Sequence, residues 1–193
     1  MLIDREKNGK LFEGIIILTV LLSIPLFNSK AGGLGRTNLQ NENGISTAKL
    51  RINLSDIPEY GVFDWIEFEK SPNGKVVLKG YAVFTETKEE AEKAAKKTDG
   101  VKAVENKIEV LPNSRTDNEI RNQAWEKSEK NSGLENYVEG ANPAVHIIVN
   151  RGNVSLFGTV RKESDAELFA MVLKGIPGVS SVQNDLKVLR EDH

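Results

Sequence analysis

A chain of 193 residues, 39% of them apolar, can hold one ordinary domain or two small ones. Lys and Arg total 26 against 28 Asp and Glu, a net charge of −2, so the whole molecule exerts no pull on nucleic acid or acidic lipid. Cysteine is absent, which removes disulfides, thiolate metal sites and cysteine nucleophiles together.

At the N-terminus, Arg5, Lys7 and Lys10 precede an apolar run from Gly14 to Phe27, and Ser29-Lys30-Ala31 follows with small residues flanking one other. Basic region, apolar core and small-residue site come in the order of a secretory leader. The run is 14 residues, short of the roughly 20 that cross a bilayer. Residues 1–31 therefore read as a signal peptide cleaved after Ala31, with an uncleaved anchor as the alternative. Either reading makes the protein exported, to a periplasm or cell envelope. Residues 32–45, rich in Gly and Asn and without periodicity, read as a flexible tether.

A first domain, 46–112, opens with a helix over Ser46–Ser55, where Leu50 and Leu54 share a face before Pro58 and Gly61 end it. Val62–Lys70 alternates as a strand, with Ile66 and Phe68 on one side and Trp65, Glu67 and Glu69 on the other. Ser71-Pro72-Asn73-Gly74 predicts a hairpin turn with positive φ at Asn73 and Gly74. Val76 and Leu78 face inward from a second strand. Thr87-x-x-Glu90 predicts a capping box at the start of the second helix. Ala91, Ala94 and Ala95 form that helix's buried stripe, Gly100 its left-handed terminator, and Val101–Leu111 the third strand.

Pro112-Asn113-Ser114 links to a second domain, 116–189. Its opening helix is Asp117–Lys130, with Ile120 and Ala124 inward. Val145, Ile147 and Val149 alternate inward on the next strand, Asn150-Arg151-Gly152 turns, and Val154 and Leu156 continue the same face. Ser164-x-x-Glu167 predicts a second capping box, and Gly178 the terminator.

The two domains are one module written twice. Residues 74–111 and 152–189 align without a gap at an offset of 78, and twelve positions are identical. They are Gly74/Gly152, Val76/Val154, Leu78/Leu156, Gly80/Gly158, Glu89/Glu167, Lys96/Lys174, Gly100/Gly178, Val101/Val179, Val104/Val182, Asn106/Asn184, Val110/Val188 and Leu111/Leu189. Glycines, core-type apolar residues and asparagines dominate, which are the residues that set a backbone path. Asn106 and Asn184 read as turn residues just before a strand. A duplication that keeps scaffold and little else points to binding or structure rather than catalysis.

A hairpin strand G-x-V-x-L-x-G and a helix ending in G-V-x-x-V-x-N, set in the order helix–strand–strand–helix–strand, resemble the BON domain family. The resemblance covers about residues 46–189. It implies an α+β chain of two tandem small α/β sandwiches, each with its helices on a three-stranded mixed sheet. It further implies an exported, non-enzymatic protein that binds phospholipid or other envelope components, with a part in osmotic or envelope stress. The first copy departs from the pattern in the early end of its opening helix and in its longer first hairpin.

The residues themselves offer little chemistry. His146 and His193 are the two histidines, and no H-E-x-x-H, G-x-S-x-G, P-loop or G-x-G-x-x-G pattern is present. His146, on the outward side of its strand, reads as a structural histidine. Carboxylates interleave with lysines, as in Lys88–Lys97, which makes a solvated helix face. No catalytic residue, metal ligand or cofactor is assigned, and nucleic acid is not expected as a partner.

Two differences between the copies carry the functional expectations. The second helix of copy two is apolar over about 200°, with Leu168 and Met171 where copy one has Glu90 and Lys93. Leu168 and Met171 therefore mark either a face between the domains or a docking surface for a partner. In the opening helix of copy two, Arg121, Trp125, Lys127 and Lys130 combine an indole with basic groups, as an interfacial anchor on anionic phospholipid requires. Trp65, Val77 and Tyr81 line the outer sheet face of copy one, suited to contact with copy two. The leading expectation is an envelope protein that binds anionic phospholipid; the alternative is a periplasmic protein–protein adaptor or chaperone-like factor. A glycan-binding module is disfavoured by too few clustered aromatics. The oligomeric state is not legible.

Overall fold

Ser46 accepts a hydrogen bond from the Lys49 amide and starts the helix α1 (Thr47–Ser55), which buries Leu50 and Leu54. The computed structural model describes residues 44–189; the expected leader at 1–31 and nearly all of the tether lie outside them. All described residues fall in one compact unit. Among them, no helix is long and apolar enough to cross a membrane.

Domain 1 continues with β1 (Trp65–Lys70), β2 (Lys75–Ala82), α2 (Thr85–Lys96) and β3 (Ala103–Val110). β1 runs antiparallel to β2 and β3 parallel to it, so β2 is central. Domain 2 repeats the plan with α3 (Arg115–Glu129), a short α4 (Glu135–Val138), β4 (Val145–Asn150), β5 (Asn153–Val160) and α5 (Glu163–Lys174). Its third strand is in two pieces, β6 (Ser181–Asn184) and β7 (Lys187–Val188), both parallel to β5. Two tandem mixed sheets with helices on one face are the α+β architecture expected from the sequence.

The repeat positions explain themselves in these contacts. Gly80 and Gly158 have φ of +116° and +115°, and a Cβ there would sit 1.9 Å from the Trp65 carbonyl and 2.1 Å from that of Ala144. Only glycine permits that approach of the first strand to the second. Asn106 and Asn184 sit within the third strands rather than before them. Each donates from its amide to a helix carbonyl, that of Lys88 at 2.8 Å and that of Ala166 at 2.9 Å. Each also accepts from the backbone two residues on, so one side chain ties helix to strand in both domains.

Four local expectations are corrected. Neither capping box forms: α2 begins at Thr85 and α5 at Glu163, with no side-chain cap, and Thr87 lies buried inside its helix. In the four-residue turn of domain 1 only Gly74 has positive φ, whereas the tighter turn of domain 2 uses both Arg151 and Gly152. Residues 61–64 do not extend β1. They leave the sheet, and the Val62 carbonyl accepts from the Ile147 amide at 2.7 Å, placing Val62 in the core of domain 2. The expected alternation along β4 becomes continuous burial from Val145 to Val149.

Candidate functional site

Every side chain singled out in domain 2 depends on how α3 and α5 lie against their neighbours. Arg121, expected at a lipid headgroup, is 4% exposed. Its Nη2 donates to the Val149 carbonyl at 2.6 Å and its Nη1 to Asn118 Oδ1 at 2.7 Å. Burial lowers its pKa from the ordinary guanidinium value, with the Asp117 and Asp64 carboxylates acting against that. The sequence could not show that α3 crosses the open edge of β4, where an unpaired carbonyl takes the guanidinium inward. Arg121 is a structural cap, and its assignment as a lipid contact is withdrawn.

Trp125, one turn later, is half-buried against the core of domain 2. Lys127 and Lys130 are exposed, and Lys130 pairs with Glu126. The four expected lipid residues therefore do not form one surface. The structure instead brings Trp125 to the same hollow as Phe84, which follows β2 in domain 1 and is 51% exposed. Together with Phe63 and Val83 they border a hollow of about 430 Å³ between the domains. Sequence reasoning missed Phe84 because an isolated aromatic after a strand carries no pattern.

Asp64 forms the polar floor of this hollow. Its carboxylate accepts from the Val83 amide at 2.7 Å and the Gly61 amide at 3.0 Å, so it pins the loop that carries Val62. Burial raises its pKa above the usual carboxylate value, against the pull of those two amides. In domain 2 the buried Asp117 does comparable work, accepting from the Arg151 and Gly152 amides of the β4–β5 turn at 2.8 Å each.

The face offered by α5 is divided. Leu168 is half-buried against its own domain's core, beside Gly133 of the α3–α4 loop. Met171 is 72% exposed. Domain 1 does not cover it, so the expectation that this wide apolar arc serves inter-domain packing fails for Met171, and the arc is wide because domain 2 adds a loop over Leu168.

The joint between the domains uses the outer sheet face of domain 1 instead. Trp65 stacks on Phe157 at 5.5 Å with 6° between planes, and Tyr81 stacks on the same ring at 6.5 Å. His146 lies under Tyr60 and Trp65, and its Nδ1 is 3.1 Å from the Gly61 carbonyl. Burial lowers its pKa from 6.5, partly opposed by the backbone of Gly61 and Asp64. Trp65 and Tyr81 are thus where the sequence placed them. His146 is hydrogen-bonded and buried, in keeping with a structural histidine. Among the described residues no cluster of three or more His, Asp or Glu could hold a metal ion.

Comparison with known proteins follows the same division. A family model described as BON domain matches residues 70–112 and 116–190. No curated protein matches significantly. Two solved structures of CdsD, a structural protein of the type III secretion system of Chlamydia trachomatis, are similar at 15% identity each. One covers 74% of this chain and 91% of its own, with a TM-score of 0.27. The other, a C-terminal domain, covers 75% and 97%, with a TM-score of 0.28.

Proposed function

The chain belongs to the BON domain family, and from that premise we propose that it is a non-enzymatic protein of the cell envelope whose paired domains bind anionic phospholipid. Export through the leader at 1–31, to a periplasm, is part of the same proposal. The observation that carries it is that half-exposed Phe84 and half-buried Trp125 both line the inter-domain hollow. Two aromatic rings at one rim suit the headgroup boundary, where the ring plane rests on acyl chains and the indole N–H stays wet. Burying the open half of Phe84 would contribute about 1 kcal/mol, which makes for weak, reversible attachment.

Co-sedimentation with phosphatidylglycerol vesicles, against phosphatidylcholine vesicles, tests this reading. Phe84→Ser should reduce pelleting several-fold without loss of fold, since half of the ring is open to solvent; Trp125→Ala should also reduce it, with circular dichroism to check that the loss of its core contact leaves domain 2 folded. Equal pelleting of wild type and both variants overturns the assignment. A second reading, an adaptor that docks an envelope protein through α5, rests on the exposure of Met171. Met171→Glu should then remove a partner captured from envelope extract and leave vesicle binding unchanged.

A further inference from the structure

The two domains treat the same sheet edge in opposite ways. In domain 2 the free edge of β4 is closed: the Ile147 amide donates to the Val62 carbonyl, and the Val149 carbonyl accepts from Arg121. Ile147 pairs with Leu156 and Phe68 pairs with Leu78. Leu78 and Leu156 are equivalent repeat positions, so Phe68 stands where Ile147 stands and its amide and carbonyl point away from β2. Lys70, opposite Val76, likewise takes the place of Val149, opposite Val154. Among the described residues neither the Phe68 amide nor the Lys70 carbonyl has a hydrogen-bond partner beyond the sheet. At Ile66 the hydroxyl of half-buried Tyr60 meets the backbone, and burial pushes that hydroxyl's pKa up to about 12.

This open edge lies along a cleft. All six residues of β1 line a space of about 820 Å³, with Thr47 and Arg51 of α1 on one side and Asn142, Pro143 and Lys187 of domain 2 on the other. An edge floor between two walls is the shape that an added strand fills. We propose that β1 takes up an extended peptide of a partner protein, added as a fourth strand to the sheet of domain 1. On the equivalent edge of β4 that place is taken by the turn at residues 61–64, whose Val62 carbonyl accepts from the Ile147 amide.

Charge selects the kind of strand. A second copy is a poor occupant: setting Phe68 against Phe68 of that copy would place Glu67 opposite Glu69 twice, and like charges directly opposed destabilise a pair. Lys79 is engaged by Glu69 at 2.6 Å, while Glu67 has no ion-pair partner among the described residues. A strand of alternating apolar and basic residues would set a cation by Glu67 and Asp185 on the domain 2 side, and an apolar side chain by Phe68 and Leu54 on the α1 side.

The probe is a capped hexapeptide, Val-Lys-Val-Lys-Val-Thr, titrated into the full chain and followed by amide NMR and hydrogen exchange. Saturable binding should move the Phe68 amide and slow its exchange at least ten-fold. The same peptide N-methylated at alternate residues should lose binding, and Glu67→Lys, an exposed change, should weaken it roughly five-fold. The proposal is overturned if the methylated peptide binds equally, if shifts cluster away from β1, or if no saturation occurs up to about 1 mM. It is also overturned, in favour of a second copy, if the chain forms a dimer whose dissociation is required before the peptide binds.

Discussion

β1 and β4 occupy the same place in the repeat, yet one edge stands open and the other is sealed by an arginine and by backbone from the neighbouring domain. The difference teaches that two copies of one scaffold can treat the same strand edge in opposite ways. Domain 1 lends residues 61–64 to its neighbour and keeps an exposed edge; domain 2 gains cover for its edge and builds a larger core. At position 91 the second helix of domain 1 buries Ala, while its equivalent in domain 2 buries Phe169. Tyr137 of α4 meets that ring edge-on at 5.9 Å, so the extra helix and the larger side chain arrive together.

Replacing Phe169 by Ala gives domain 2 the core of domain 1 at that position without its compensating closeness, and should cost about 3–5 kcal/mol. Chemical denaturation should show the loss, and hydrogen exchange should rise first in α5 and α4. Gly158→Ala should cost about 3 kcal/mol, from the Ala144 carbonyl in its way and the strained φ. Gly80→Ala should cost as much, and a marked inequality of the two would show that the shared scaffold is not equally loaded. Arg121→Met should cost about 1–2 kcal/mol by leaving the Val149 carbonyl unpaired. It should also open the β4 edge, seen as concentration-dependent association by sedimentation, while vesicle binding stays at the wild-type level.

The smallest effect is on pH. His146 has a depressed pKa in the folded protein, so the unfolded chain binds more protons below its ordinary value of 6.5. Stability from this group is therefore full above that value and falls as pH drops toward the depressed folded one. Asp64, with its raised pKa, acts in the opposite sense at lower pH. Between about pH 7.5 and 5.5 the melting temperature should drop by a few degrees in wild type and by less in His146→Gln.

Much of the fold was legible because it rests on local chemistry. Glycines at fixed offsets, alternating valines and the Leu50/Leu54 stripe each act within a few residues, and the repeat doubled every such signal. The joint was half legible: Trp65 and Tyr81 announced an outer face that needed covering. Arg121 misled because a guanidinium beside an indole has the same sequence signature whether it meets phosphate or a strand carbonyl 28 residues away. Thr87 and Ser164 misled similarly, since a hydroxyl three before a glutamate caps a helix only if the chain has not already turned helical. Phe84 and the open edge of β1 belong to tertiary geometry, and no spacing within the chain encodes them.

Val62 gives the pair of domains a property that tandem beads lack. It lies before the first residue matched to the family and well upstream of the linker, yet its side chain sits in the second core and its carbonyl completes the second sheet's edge. A protease or a gene rearrangement that separated the halves at Pro112–Ser114 would leave the second half with a hole at Val62 and the Ile147 amide unpaired. A transplanted second half would keep its own shape only if residues 61–64 travelled with it. Recombination can copy this module, but it cannot cleanly exchange it.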